Sequence, residues 1–394
     1  MNPSGIAFLS WKHLSHRPWR SLLLVVAIAL TFSLPSALRV FIEESENVLR
    51  ERARSTPLLI GPRGSSIDLT LNAIYFTPQE LPPLPYSAYE QLSQKEFGTT
   101  IPLHARFRAM EAPVIGTSLA YFDLRGLEIR EGRMFTRLGD CVIGARLAEE
   151  KNLSPGDKIT SSPENIFDLA GVYPLRMRIT GVLAPNQTPD DNAVFVDVKT
   201  AWIIEGLAHG HEDLNAPGAG ESVRSREKDV IRASASVIEF NEVTEENIAS
   251  FHFHGDPGTY PLSSAILLPS DAKQRALALS AYQGGEATEQ MVTPLDAVAD
   301  LADTLFATQR LALLSFRLLG VAALGLAALV FLLSFRLRES EMSSYAKIGA
   351  TRITILSLKG AEVVIIVLSA MVLASLAVTL TRSVAGDLLS KLLN

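Results

Sequence analysis

The chain has 394 residues, 47% of them hydrophobic, a formal net charge of -6 and one cysteine, Cys141. The length allows more than one domain, and the acidic balance argues against a nucleic-acid partner, which calls for a basic face. One cysteine excludes an intramolecular disulfide and a cysteine-rich metal site.

Residues 1–20 form a cytoplasmic amphipathic segment carrying Lys12, Arg17 and Arg20 and no acidic residue. The apolar segment 21–42 follows, uncharged from Leu22 to Pro35. About 20 residues at 1.5 Å each match a hydrocarbon core of about 30 Å, so this is a first membrane span. The charge asymmetry puts the N-terminus in the cytoplasm, with Trp11 and Trp19 suited to the interface. A cleaved signal peptide competes with that reading, since Ser36 and Ala37 are small, but a proline just before the cut fits it poorly.

Residues 43–310 read as a large outer domain of mixed α and β structure. Leu58–Ile60 begins it as a strand, with a turn at Gly61, Gly64 and Ser65. Pro82–Pro85 breaks the chain before a helix at Ser87–Lys95, with Ser87 as N-cap and Glu90 as its capping-box partner. Cys141–Ile159 reads as a strand, a helix over Ala145–Lys151 and a turn at Leu153–Asp157. In Arg178–Val198 two β-branched runs flank a Pro/Asn/Asp cluster, as in a hairpin. Asn215–Arg226, rich in small and charged residues, reads as a mobile loop. Pro294–Leu313 reads as a helix that runs into the next span without a break.

The second span, 311–335, is uncharged after Arg317 and offers Gly320, Ala323, Gly325, Ala327 and Ala328 for close helix packing in lipid. Residues 336–360 carry Arg336, Arg338, Lys347, Arg352 and Lys359 and belong in the cytoplasm. The third span, 361–381, has Glu362 at its start, near an interface. Residues 382–394 are an extracytoplasmic tail, too short and too charged to span. The fold expected is thus an α+β integral membrane protein: one N-terminal helix, a large periplasmic domain, then two more spans around a cytoplasmic loop. It lies in the inner (plasma) membrane and contacts lipid.

No GxxxxGK[ST], HExxH or GxSxG motif is present, so no catalytic residue is assigned. Histidines offer the other chemistry. His209 and His211 lie in HGHEDL, beside Glu212 and Asp213, and His252 and His254 lie in FHFHGD, beside Asp256. His-x-His in an extended segment points both imidazoles to one face, and two such pairs suit zinc or copper. Solvated loop histidines beside acidic residues are the plainer reading.

The order of these pieces resembles the FtsX/MacB-type permeases of type VII ABC transporters. Gly132-Arg133-Met134-Phe135, Val142-Ile143-Gly144 with Leu147-Ala148, Pro155-Gly156-Asp157 and Ile179-Thr180-Gly181-Val182-Leu183 carry the outer-domain likeness. Glu341 to Arg352 is similar to the family's loop of an acidic residue, a helix, a Leu-Gly-Ala turn and a basic residue. The resemblance implies a permease subunit, not itself an enzyme, working with a cytoplasmic ABC ATP-binding subunit and a second permease subunit. ATP and magnesium would sit on that partner, and this chain would hold no cofactor, zinc at the histidines apart. In that family the loop forms a helix that rests on the ATPase, here about Glu341 to Ile355, and the implied ATPase-coupling residues are Glu341, Met342, Tyr345, Lys347, Ile348, Gly349, Ala350 and Arg352. Met342, Tyr345, Ile348, Ile353 and Leu356 are apolar positions in a charged loop that need a partner; an interfacial helix on the bilayer is the alternative.

Such a permease acts as a lever (mechanotransmission), moving or releasing a peptide, lipoprotein or other amphiphile. The alternatives are a non-transporting transducer that activates a periplasmic partner and a zinc-handling permease using the histidine loops. The family has a fourth span where this sequence ends at Asn394, so either three spans or a truncation is expected.

Overall fold

A computed structural model of the chain describes residues 3–16, 18–162, 174–211, 223–227, 230–233, 240–284 and 287–393. It divides into two units, one built from Met1–Val48 and Ala302–Leu389, the other from Leu49–Leu301.

The first unit is helical because its sequence is a series of long apolar runs without strand-breaking turns. Among the described residues three helices are long and apolar enough to cross a membrane: Pro18–Arg54, Leu311–Leu337 and Arg352–Val384. Leu24, Ile28 and Ala29 pack against Ala327 and against Ile366, Ala370 and Ala374. Alanines at this contact let helix backbones approach, which is how helices associate where solvent gives no hydrophobic drive. Leu318, Leu329, Leu368 and Leu376 face outward, as side chains that lipid covers do. Pro35 lies inside its helix without ending it. The second long helix, Pro294–Leu337, is unbroken from its outer-domain start into the apolar run.

The expected helical stretch Glu341–Ile355 is two pieces. A helix covers Glu339–Lys347, and Gly349 then takes φ +98°, a left-handed conformation that ends a helix and suits glycine. The hydroxyl of Thr351 accepts from the Thr354 amide at 3.2 Å and starts the helix Arg352–Leu393. Ile353 and Leu356 therefore belong to the membrane helix.

The second unit is built on one mixed ten-stranded sheet. Its order runs Glu289–Val292, Leu58–Pro62, Ser264–Pro269, Gly98–Ala109, Ala112–Thr117, Val194–Asp197, Asp140–Ile143, Arg176–Leu183 and Ile129–Gly132, with Lys158–Thr160 also on Arg176–Leu183. The pairings Ala112–Thr117 with Val194–Asp197 and Asp140–Ile143 with Arg176–Leu183 are parallel, the others antiparallel. Leu58, Leu59, Ile60, Val142, Ile143, Val194 and Phe195 are wholly buried, as sheet residues covered on both faces are. One aromatic core gathers Phe76, Tyr121, Phe122, Phe135 and Phe195; another gathers Trp202 and Tyr260.

Local readings mostly hold here. The strand Asp140–Ile143, the helix Ala145–Lys151 and the turn, closed by the Ser154 amide on Asp157 Oδ2 at 2.8 Å, follow in the expected order. Four readings change. Arg176–Leu183 and Val194–Asp197 are not a hairpin, because Asp140–Ile143 lies between them and pairs with both. Ser87 is inside the helix Tyr86–Gln94, whose N-cap is Pro85; the Tyr86 amide is satisfied by the Tyr260 carbonyl at 2.8 Å, so no serine cap is needed. Gly61 is a strand residue, small because the Leu69 side chain packs on it, and Ser65 caps a helix, Ser66–Tyr75. Of Asn215–Arg226, residues 215–222 lie outside the described set, while Val223–Arg226 belongs to a strand paired with Val230–Ala233.

Candidate functional site

Three constellations stand out among the described residues. The first is in the outer domain. Arg52, in the last turn of its helix, donates from Nη1 and Nη2 to the two carboxylate oxygens of Asp190 at 2.9 Å each. Tyr121 donates to Asp190 Oδ1 at 2.8 Å, and Arg52 Nε donates to the Ile74 carbonyl. Arg52 is 8% and Asp190 1% exposed. Burial alone would raise the Asp190 carboxyl, but the adjacent Arg52 charge and its hydrogen bonds outweigh it and hold the carboxyl below its ordinary value. Burial, with Asp190 adding to it, pushes the Tyr121 phenol up to about 12. Asp191 beside it accepts from the Asn186 and Gln187 amides. This cluster fixes the loop at Asn186–Asn192 to the helix end. It has no proton poised near neutrality and is structural.

The second constellation is the loop after Leu337. Arg338 donates from Nη1 to both carboxylate oxygens of Glu362 at 3.0 Å and from Nε to Glu341 at 3.0 Å. It thereby ties the start of the short helix to the start of the third apolar helix. Met342 is buried and Tyr345 half-buried. Glu341, Lys347, Gly349 and Arg352 are exposed, and Ala350 is half-buried. Ile348 is 81%, Ile353 77% and Leu356 71% exposed. The loop thus presents one bare aliphatic side chain, Ile348, beside Lys347, while Ile353 and Leu356 are bare at the start of the membrane helix. The Arg338–Glu362 pair was not foreseen from the sequence. Its signal was there: a carboxylate inside an apolar helix needs a named partner, and an arginine lay one loop away.

The third constellation is the histidine ribbon. Ala208–His209 pairs antiparallel with His252–Phe253, with His209 opposite His252. His211 and His254 follow two residues on along each strand, on the same face. The ring of His209 lies 4.6 Å from His254, 5.0 Å from His252 and 5.9 Å from His211, centroid to centroid. His252 lies 4.6 Å from His254 and 5.2 Å from His211. The structure therefore brings all four predicted histidines together. Glu212 and Asp213 lie outside the described residues; Asp256 instead caps the turn after the ribbon, accepting from the Gly258 amide.

Burial disposes of the one thiol: Cys141 is wholly buried in the sheet, which pushes it well above the ordinary cysteine value and makes it inert.

Residues 21–226 match the family described as the MacB-like periplasmic core domain, more than half of the chain. No curated protein matches it. Among solved structures, the chain is similar to the extracellular domain of the noncanonical ABC-type transporter YknZ from Gram-positive bacteria, at 13% identity and TM-score 0.31, covering 60% of this chain and 98% of that one. It is also similar to the periplasmic region of MacB from Actinobacillus actinomycetemcomitans, at 14% identity and TM-score 0.33, covering 66% and 96%.

Proposed function

Because the chain belongs to the MacB-like periplasmic core domain family, an ABC-transporter permease family of the FtsX/MacB type, we propose that it is a permease subunit driven by a separate cytoplasmic ATPase. In this reading residues 1–20 and the loop 336–360 face the cytoplasm, and the mixed-sheet domain faces the periplasm. The excess of Lys and Arg in both cytoplasmic segments supports that orientation. ATP hydrolysis belongs to the partner, and this chain converts it to movement.

The observation that carries the coupling proposal is the exposure of Ile348, at the end of the short helix and outside the membrane helix, beside Lys347. A large aliphatic side chain left 81% exposed in a charged loop calls for a partner surface. Met342, buried, and Arg338, paired with Glu341 and Glu362, hold the short helix Glu339–Lys347 in a defined place. A lever needs that fixed attachment. A flexible tether would absorb the motion of the ATPase rather than pass it on. The helix Pro294–Leu337, unbroken between the outer domain and the second apolar run, is the route proposed for the stroke. The cargo is a peptide, lipoprotein or other amphiphile, moved or released on the periplasmic side.

A photocrosslinking side chain placed at position 348 tests the contact in cells. An adduct with the cytoplasmic ATP-binding subunit is expected, and stronger than one from position 329, on the outward face of the second apolar run. Adducts with lipid alone would leave the short helix as a bilayer-surface element and end the proposal.

A further inference from the structure

We propose that the ribbon formed by Ala208–His209 and His252–Phe253, with His211 and His254 just beyond the strands, is a binding site for one divalent first-row transition ion, zinc foremost, held by His209, His252 and His254. The inference is independent of the permease reading and concerns the outer domain alone.

The geometry suits a single ion. One ring nitrogen from each of His209, His252 and His254 lies within 4.8 Å of the others. A tetrahedral ion with bonds of about 2.0–2.1 Å holds its nitrogens about 3.4 Å apart. Each ring has to swing inward by only about 1 Å, well within the reach of a side-chain rotation. Imidazole suits zinc, copper, nickel and cobalt over magnesium or calcium, which take oxygen ligands. Three imidazoles leave a fourth position. His211, with its ring 5.2 Å from that of His252, stands where it can take that position or leave it to water.

The rings are presented by a fixed backbone. Along the second strand the side chains alternate: Phe251 and Phe253 pack inward, and His252 and His254 are exposed. Phe253 lies against Trp202 and Tyr260, with ring centroids 6.5 and 6.1 Å away. The Tyr260 hydroxyl donates to the His254 carbonyl at 2.8 Å, and the His254 amide donates to the Leu207 carbonyl at 2.9 Å. Gly210, between the two histidines of the first strand, has the Phe251 ring packed where a Cβ would stand. A larger residue there would separate the strands and with them the rings.

One ligand is already oriented. His252 Nδ1 lies 2.9 Å from the Ser250 carbonyl, which can only accept, so Nδ1 carries the proton and Nε2 offers its lone pair. A metal-bound histidine is held in this way, by its second nitrogen on a backbone carbonyl. An open three-histidine site at the domain surface suits an ion that is taken up and passed on.

The test is zinc titration of the full chain in detergent, after chelator treatment, in competition with a metal indicator. One zinc per chain is expected. Loss of an outer-shell partner costs roughly 10–100-fold in affinity, so His209→Ala and His252→Ala should each cost at least tenfold. His13→Ala, in the N-terminal helix, should change nothing. Cobalt(II) supplies a second readout: the intense visible bands of a four-coordinate ion should appear with the parent chain and vanish with His252→Ala. Thermal unfolding without metal checks that the variants fold, and zinc should raise the midpoint of the parent chain and of His13→Ala but not of the His209→Ala/His252→Ala pair. Uptake that survives the His209→Ala/His252→Ala pair, or no uptake by the parent chain, would overturn the proposal.

Discussion

The guanidinium of Arg52 and the carboxylate of Asp190, 138 residues apart in sequence, meet through two hydrogen bonds of 2.9 Å in a wholly buried place. The pair ties the last turn of the helix Pro18–Arg54 to the loop Asn186–Asn192, and Tyr121 completes it at 2.8 Å from Asp190. Removing one partner leaves the other charge buried without compensation, which costs about 3–5 kcal/mol. Asp190→Asn should therefore lower the unfolding midpoint of the full chain in detergent sharply. Asp68→Asn, half-buried in the first turn of the helix Ser66–Tyr75 and without an ion-pair partner of this kind among the described residues, should shift it by less than about 1 kcal/mol.

The same carboxyl predicts a pH dependence. Its folded value is held below the ordinary one, so its contribution is fully present above the unfolded value near 4 and is lost as pH falls through the folded value. The stability gap between the parent chain and Asp190→Asn should be constant from about pH 7 to 5 and narrow below about pH 4. A gap that stays constant down to pH 3 would contradict the assignment.

Gly144 makes a further case. A Cβ there would stand 2.2 Å from the Asp191 carbonyl oxygen, which is backbone and cannot step aside cheaply. Gly144→Ala should cost about 1–3 kcal/mol by overpacking, although its φ of -67° is open to any residue. The same substitution at Gly284, which has open space around it, should be close to neutral.

Cys141 should resist maleimide in the folded chain and react at once on denaturation, since burial disfavours its thiolate. Rapid labelling under native conditions would mean that the central strand Asp140–Ile143 opens readily.

What could be read from the sequence was local. The strand, helix and turn from Asp140 to Asp157 follow from adjacent residues, as do the three apolar runs. The pairing of Arg176–Leu183 could not be read, because the strand that separates it from Val194–Asp197 comes from earlier in the chain. Ser87 carried a capping signal that a tertiary contact, the Tyr260 carbonyl on the Tyr86 amide, made unnecessary. His-x-His was legible twice, but only the pairing of His209 with His252 makes four rings neighbours. The break at Gly349 was legible in its Gly-Ala pair and was read as a turn in a family motif, while its helix-ending consequence rests on φ +98°.

The most direct test of the permease account is co-purification of the full chain in mild detergent with the cytoplasmic ATP-binding subunit. The account predicts a stable complex from the parent chain and its loss with Ile348→Asp, while the variant still folds and inserts. It also predicts a lesser loss with Tyr345→Asp, whose ring is half-buried. A complex that survives Ile348→Asp, or no ATPase recovered with the intact parent chain, would contradict it.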